Sequence, residues 1–172
     1  MQNASPLAAS DVAENQRREP MRKPNALFLC TGNSCRSQMA EALLRDRYGD
    51  RFEAFSAGTD PTGIHPLTIR VLKEIGIDTS ELRSKSVKEY LGRLRAHFLV
   101  IVCQHAADSC PRIFPGMVKR YVWTFDDPPA FEGSDEDKLD KFREVRDAIA
   151  ASLEEWVAEL DASGALEPFK GG

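Results

Sequence analysis

Apolar residues recur along this chain in two alternating rhythms. Continuous or every-second runs occupy NALFLC (25–30), FEAFSAG (52–58), HFLVIVC (97–103) and KRYVWTF (119–125), and each predicts a short strand. Between them the spacing lengthens to three and four. Met39, Leu43, Leu44 and Tyr48 share one face of an amphipathic helix that stops at Gly49, and Leu67, Val71, Leu72 and Ile75 do the same between Pro66 and Gly76. Leu139, Phe142, Val145, Ile149, Leu153, Trp156 and Leu160 trace one long helix. Ser134 and Asp137 supply an acidic cap for its start, and Pro66 suits a first helical position. VKEYLGRL (87–94) predicts a further short helix.

Strands that alternate with helices predict the α/β class: a three-layer arrangement in which a four-stranded parallel sheet carries helices on both faces. In such sheets ligands gather outside the carboxyl ends of the strands. Cys30, Gly58, Cys103 and the pair Asp126–Asp127 all fall at or just past a predicted strand end. Four separate strands therefore bring chemically capable residues to one rim.

A chain of 172 residues, 42% hydrophobic and 29% charged, has room for one domain, here expected over 25–163. The polar, proline-punctuated 1–24 reads as a disordered N-terminal extension and 164–172 as a flexible tail. A net charge of −4 gives no basic field for nucleic acid, so a phosphate-like ligand needs a local positive site. No apolar run is long enough for a membrane span, and the first residues lack the apolar centre of a secretory signal. The expected location is cytoplasmic. In that reducing compartment the four cysteines, Cys30, Cys35, Cys103 and Cys110, read as buried, metal-bound or redox-active groups rather than permanent staples. His65, His97 and His105 form no metal-binding spacing, so no metal or cofactor is expected.

Cys30 ends a buried strand, where a cysteine is commonly plain core. It also opens the turn TGNSC, which leads into a helix at Arg36. Such a turn can curl so that successive N–H groups and the helix start converge on a tetrahedral oxyanion. Gly32 and Asn33 tolerate the backbone angles this needs, Arg36 can clamp two oxyanion oxygens, and Ser37 can donate to the Cys30 sulfur. The same field is expected to lower the Cys30 pKa and make it a nucleophile.

The run CTGNSCRS is similar to the signature loop of low-molecular-weight protein tyrosine phosphatases and of the thioredoxin-coupled arsenate reductases that share their fold. SAGT (56–59) and FDDP (125–128) resemble two further landmarks of these families, in the same order. The resemblance implies a fold of that kind, with Cys30 as nucleophile. Thr31, Gly32, Asn33, Ser34, Cys35, Arg36 and Ser37 would bind the oxyanion, and Asp127, ahead of Asp126, would be the general acid. Cys103 and Cys110, followed by proline, resemble the redox pair of the arsenate reductases. That implies arsenate as substrate, a relay from Cys30 to Cys103 to Cys110, and thioredoxin as reductant.

Two alternatives stand beside this reading: a phosphatase of the same fold, and a non-catalytic oxyanion or thiol-redox sensor. Pro129 and Ala130 stand where phosphatases carry aromatics, with Phe131 a partial substitute, and an intact general acid argues against a pure binder. Some reductases of this kind hold potassium near the loop. By resemblance its ligands would come from Asn33, Glu41 and Ser56, but Lys85 falls where a further carboxylate would be, so no potassium dependence is expected. Residues seven apart on a helix are about 10.5 Å apart, whereas a disulfide needs Cα atoms within roughly 4.4–6.8 Å. QHAADS (104–109) therefore cannot stay a regular helix in both redox states.

Overall fold

The computed structural model describes residues 22–109 and 116–169. Four strands, β1 (Asn25–Cys30), β2 (Glu53–Gly58), β3 (Phe98–Ile101) and β4 (Lys119–Val122), form one parallel sheet in the order β2-β1-β3-β4. Its helices are α1 (Arg36–Tyr48), α2 (Pro66–Glu74), α3 (Gln104–Ser109) and α4 (Asp135–Ala162), with 3-10 turns at Val87–Glu89, Pro128–Ala130 and Glu167–Phe169. The α/β class and the four parallel strands are those the apolar rhythm predicts. β1 lies between β2 and β3, so the winding reverses between β1 and β3, and Cys30 stands at the carboxyl end of β1 beside that reversal.

The core has two sides because successive strand residues point to opposite faces. On one side Trp156 of α4 meets the rings of Phe52, Phe98, Tyr121 and Trp123 at centroid distances of 5.3–5.8 Å. Trp156 is buried and Trp123 only partly so. On the other side Phe55 packs edge-on against Tyr90. The long helix α4 starts as its sequence directs, with a full capping box between Ser134 and Asp137. It is tied to α2 by buried Arg146, whose Nη1 donates to the Val71 carbonyl at 2.9 Å.

The structure departs from the sequence expectations in four places. VKEYLGRL makes only the 3-10 turn Val87–Glu89, because the chain passes through Gly92 at φ +72° and cannot continue as a helix. The first two turns of α1 are not amphipathic: Ser37 through Leu44 are all buried, polar Gln38 and Glu41 included. Strand β4 ends at Val122, short of the expected 125. The chain also does not come loose at 163, since Leu166 is buried and Phe169 packs edge-on against His97. The expected extension over 1–24 lies outside the described residues as far as residue 21, as do Cys110 and 170–172.

Candidate active site

The turn between β1 and α1 is held from outside by its carbonyls. Cys30 O accepts from Thr59 N, Thr31 O from Asp60 N, Gly32 O from Thr62 N, and Ser34 O from His65 N, all at 2.9–3.1 Å. Asn33 O accepts from Gln38 Nε2, and Cys35 O from Met39 N in the first turn of α1. In a trans peptide the C=O of one residue and the N–H of the next point in opposite directions. With these carbonyls engaged on their partners, the N–H groups of the turn point away from those partners. The Asn33 N–H donates to the Cys30 sulfur at 3.1 Å.

Asn33 is the pivot of the loop. Its φ of +46° makes it the one non-glycine residue in the left-handed region among the described residues. Its buried side chain offsets that strain with four hydrogen bonds. Nδ2 donates to Ser37 Oγ and Ser56 Oγ, each at 2.9 Å, and Oδ1 accepts from Gln38 Nε2 and the Lys85 N–H. Gly58 at the end of β2 lies so close beneath that a Cβ there would stand 2.5 Å from Thr31 O and 2.9 Å from Asn33 N. The SAGT landmark is thus a backbone seat for the loop.

Cys30 Sγ and Ser37 Oγ are 2.8 Å apart. Burial pushes the Cys30 thiol above the ordinary thiol range, against the pull of the Ser37 hydroxyl and the Asn33 N–H. The expected lowering is not met in this arrangement, because burial outweighs these hydrogen bonds, and Arg36 is engaged elsewhere. Its Nη1 donates to Phe125 O and its Nη2 to Asp127 Oδ1, both at 3.1 Å, so its charge is directed to the carboxylate rather than to the sulfur. Cys35 is buried as well, and burial raises its thiol too.

The other candidates meet the same rim. Asp127 precedes the turn Pro128–Ala130 and is about half exposed (52%), with Arg36 as its ion-pair partner. Cys103 follows β3 and is buried. Its sulfur lies 3.7 Å from Thr31 Oγ1 and accepts from the Ala106 N–H at 3.4 Å. Cys30, Cys35 and Cys103 are all free thiols. The loop residues Thr31 through Ser37, Arg36, Asp127 and Cys103 therefore converge, while Cys110 lies outside the described residues.

Behind the loop, Lys85 Nζ donates to Glu41 Oε2 at 3.2 Å, to Ser56 Oγ at 3.4 Å and to the Arg83 carbonyl at 2.8 Å. Ser56 Oγ also bonds Glu41 Oε2, and Arg45 Nη2 bonds Glu41 Oε1. These donors do not fit a resident potassium ion, since an ammonium already contacts the oxygens it would use. Burial lowers the Lys85 pKa against the pull of Glu41. Sequence reasoning missed Gln38, whose amide ties Asn33 to the Arg83 carbonyl. A glutamine among the apolar residues of an otherwise buried turn was the available signal.

A cysteine inside a tightly held turn, with an arginine and a carboxylate beside the loop and a second thiol nearby, is an arrangement able to hold an oxyanion against a thiol. The chain belongs to the low molecular weight phosphotyrosine protein phosphatase family, whose model matches residues 25–166. It is 45% identical over 133 residues to an arsenate reductase of Halalkalibacterium halodurans, covering 77% of this chain and 94% of that one. Among solved structures it is similar to a thioredoxin-dependent arsenate reductase of Corynebacterium glutamicum. There the identity is 29% and the TM-score 0.62, with 88% of this chain and 68% of that one covered. An arsenate reductase in a phosphate-binding state matches at 26% identity and TM-score 0.66, over 79% of this chain and 98% of that one. No helix among the described residues is long and apolar enough to cross a membrane.

Proposed function

We propose that this protein reduces arsenate to arsenite through its own thiols and is returned to the reduced state by thioredoxin. The observation that carries the reading is the second buried thiol: Cys103 shares the rim with Cys30, its sulfur 3.7 Å from the hydroxyl of Thr31, the residue after Cys30. Hydrolysis of a phosphate ester needs one thiol, whereas reducing arsenic by two electrons needs a pair. The names borne by the relatives agree with this reading.

Arsenate enters the loop and is held by the N–H groups of the turn and by Arg36. The Cys30 sulfur attacks arsenic, and an oxygen leaves as water after Asp127 has protonated it. Cys103, as thiolate, then attacks the Cys30 sulfur. The S–As bonding pair stays on arsenic, which passes from the +5 to the +3 state and departs as arsenite, leaving a Cys30–Cys103 disulfide. Cys110 attacks Cys103 in turn, frees the Cys30 thiolate and forms a Cys103–Cys110 disulfide. Two thiols of thioredoxin reduce that disulfide and are themselves oxidised.

The test is NADPH consumption with arsenate, thioredoxin and thioredoxin reductase, wild type against Cys103→Ser, with hydrolysis of an aryl phosphate followed alongside. Arsenate-dependent consumption in the wild type, abolished in the variant, is the expected result. Fast aryl phosphate hydrolysis that survives Cys103→Ser, without NADPH consumption, would move the protein to the phosphatases.

A further inference from the structure

Asp126 and Asp127 are neighbours in the chain, yet they are held by different cations. Asp127 Oδ1 accepts from Arg36 Nη2, whereas Asp126 Oδ2 accepts from Lys141 Nζ of α4 at 2.6 Å. The same ammonium donates to Glu144 Oε1 at 2.9 Å and lies 5.9 Å from the centroid of the Phe131 ring. One cation thus touches both flanks of Asp127: the residue before it, and the aromatic that follows its turn. Between the flanks the chain is short and closed. Ala130 N donates to Asp127 O, Phe131 N donates to Pro128 O, and Pro128 is buried.

The Lys141 side chain is only 15% exposed, although its partners Asp126 and Glu144 are 71% and 66% exposed. Ion pairs with partners this open contribute little to stability. The contact has a stronger geometric consequence, because a turn anchored on both sides of one residue fixes the direction of that residue. Lys141 also holds the Asp126 carboxyl below the usual carboxylate range.

We propose that Lys141 is the positioning residue of the acid turn: by holding Asp126 and Phe131 on the α4 side, it leaves Asp127 alone facing the Cys30 loop. The proposal rests on the reading of Asp127 as general acid. Misplacing a reacting group by about 1 Å can cost on the order of a hundredfold in rate. Releasing one of several restraints on it is expected to cost about tenfold.

The experiment compares Lys141→Met, Lys141→Arg, Asp126→Asn and the double variant Lys141→Met/Asp126→Asn with wild type, on arsenate with thioredoxin and on p-nitrophenyl phosphate. Lys141→Met and Asp126→Asn should each lower kcat about tenfold with KM within about twofold. The double variant should be no slower than Lys141→Met, because Lys141→Met already removes the tie to Asp126 along with the Phe131 contact. Lys141→Arg should keep most of the activity, and thermal midpoints should hardly move. Amide hydrogen exchange over 126–131 should quicken in Lys141→Met. Wild-type kcat in Lys141→Met, losses that multiply in the double variant, or unchanged exchange over 126–131 would each overturn the proposal. Absence of arsenate turnover in wild type sinks the reductase reading instead. Lys141 is then judged by the same ratios on the aryl phosphate and by the exchange rates, which need no activity. Asp126→Asn, at a largely exposed position, removes the tie even if Lys141→Met fails to fold.

Discussion

The Cys30 loop and the Cys103 segment each carry a buried thiol past the end of a strand, yet they are built in opposite ways. Every carbonyl from Cys30 to Cys35 is bonded, Asn33 makes four side-chain hydrogen bonds, and Gly58 lets the backbone of β2 press against the loop. The Cys103 segment continues into α3, a helix of six residues in which Ala106 alone is buried. Apart from the bonds of the Cys103 sulfur with the Ala106 N–H and Thr31 Oγ1, the described side-chain bonds of this segment, Gln104 to Asp108, Ser109 to His105 O and Arg120 to Ala107 O, are exposed. An oxyanion site gains from donors fixed in advance, since they need no reorganisation when charge arrives. A relay thiol has to travel to its next partner, which a segment of low local stability permits.

The largest expected effect breaks the rigid side of this contrast. Gly58→Ala puts a methyl 2.5 Å from a loop carbonyl and 2.9 Å from the N–H that serves the Cys30 sulfur. Both neighbours are backbone, so the loop must shift as a unit. A stability loss of about 2–3 kcal/mol is expected, with a fall in kcat on the order of a hundredfold. Denaturant unfolding and steady-state turnover measure the two. Wild-type kcat in this variant would show that the loop is not seated on β2.

Next comes the polar cluster beneath the loop, where the expected effect is on stability alone. Lys85 and Glu41 are each 5% exposed at their side chains, and removing one partner of a buried pair leaves the other uncompensated. Lys85→Met should cost about 3 kcal/mol, because Arg45 retains a hold on Glu41. Wild-type turnover should be indifferent to potassium in place of a bulky organic cation. In Lys85→Met, potassium should recover part of the lost stability. Equal stability of the variant in both salts would mean that the oxygens around Lys85 serve the ammonium alone.

What could be read in the sequence follows the same division. Strand order was beyond reach, but the placing of Cys30 and Cys103 at or just past strand ends was legible, because apolar period and turn residues are local signals, whereas β4 ends at Val122, well before Asp127. The seat of the loop was not legible, since Thr62 and Ser84 reach it only through tertiary contact. Lys141 was hidden for a different reason: within DEDKLDKFREVRD it looks like one more solvated charge, and only folding brings Asp126 to it. The direction of the Cys30 shift was misjudged because the sequence shows the charge of Arg36 but not how deeply the sulfur is buried.

The smallest effect tests the more exposed side. The proposed Cys103–Cys110 disulfide would require α3 to lose its regular form, because its six residues alone rise about 9 Å and a disulfide tolerates at most roughly 6.8 Å between Cα atoms. Asp108→Gly removes the Gln104–Asp108 bond and lowers helix propensity by a few tenths of a kcal/mol. It should therefore quicken formation of the second disulfide about two- to threefold, without altering the first attack of Cys30 on arsenate. Quenched-flow trapping of free thiols in single-turnover reactions without thioredoxin separates the two steps. Far-ultraviolet circular dichroism over the same reaction should lose helical signal as the second disulfide forms. A variant that speeds both steps equally would place α3 in the oxyanion chemistry itself. One that speeds neither, with the helical signal constant, would mean that Cys110 reaches Cys103 without unwinding α3, and the contrast between a fixed loop and a yielding relay would fail.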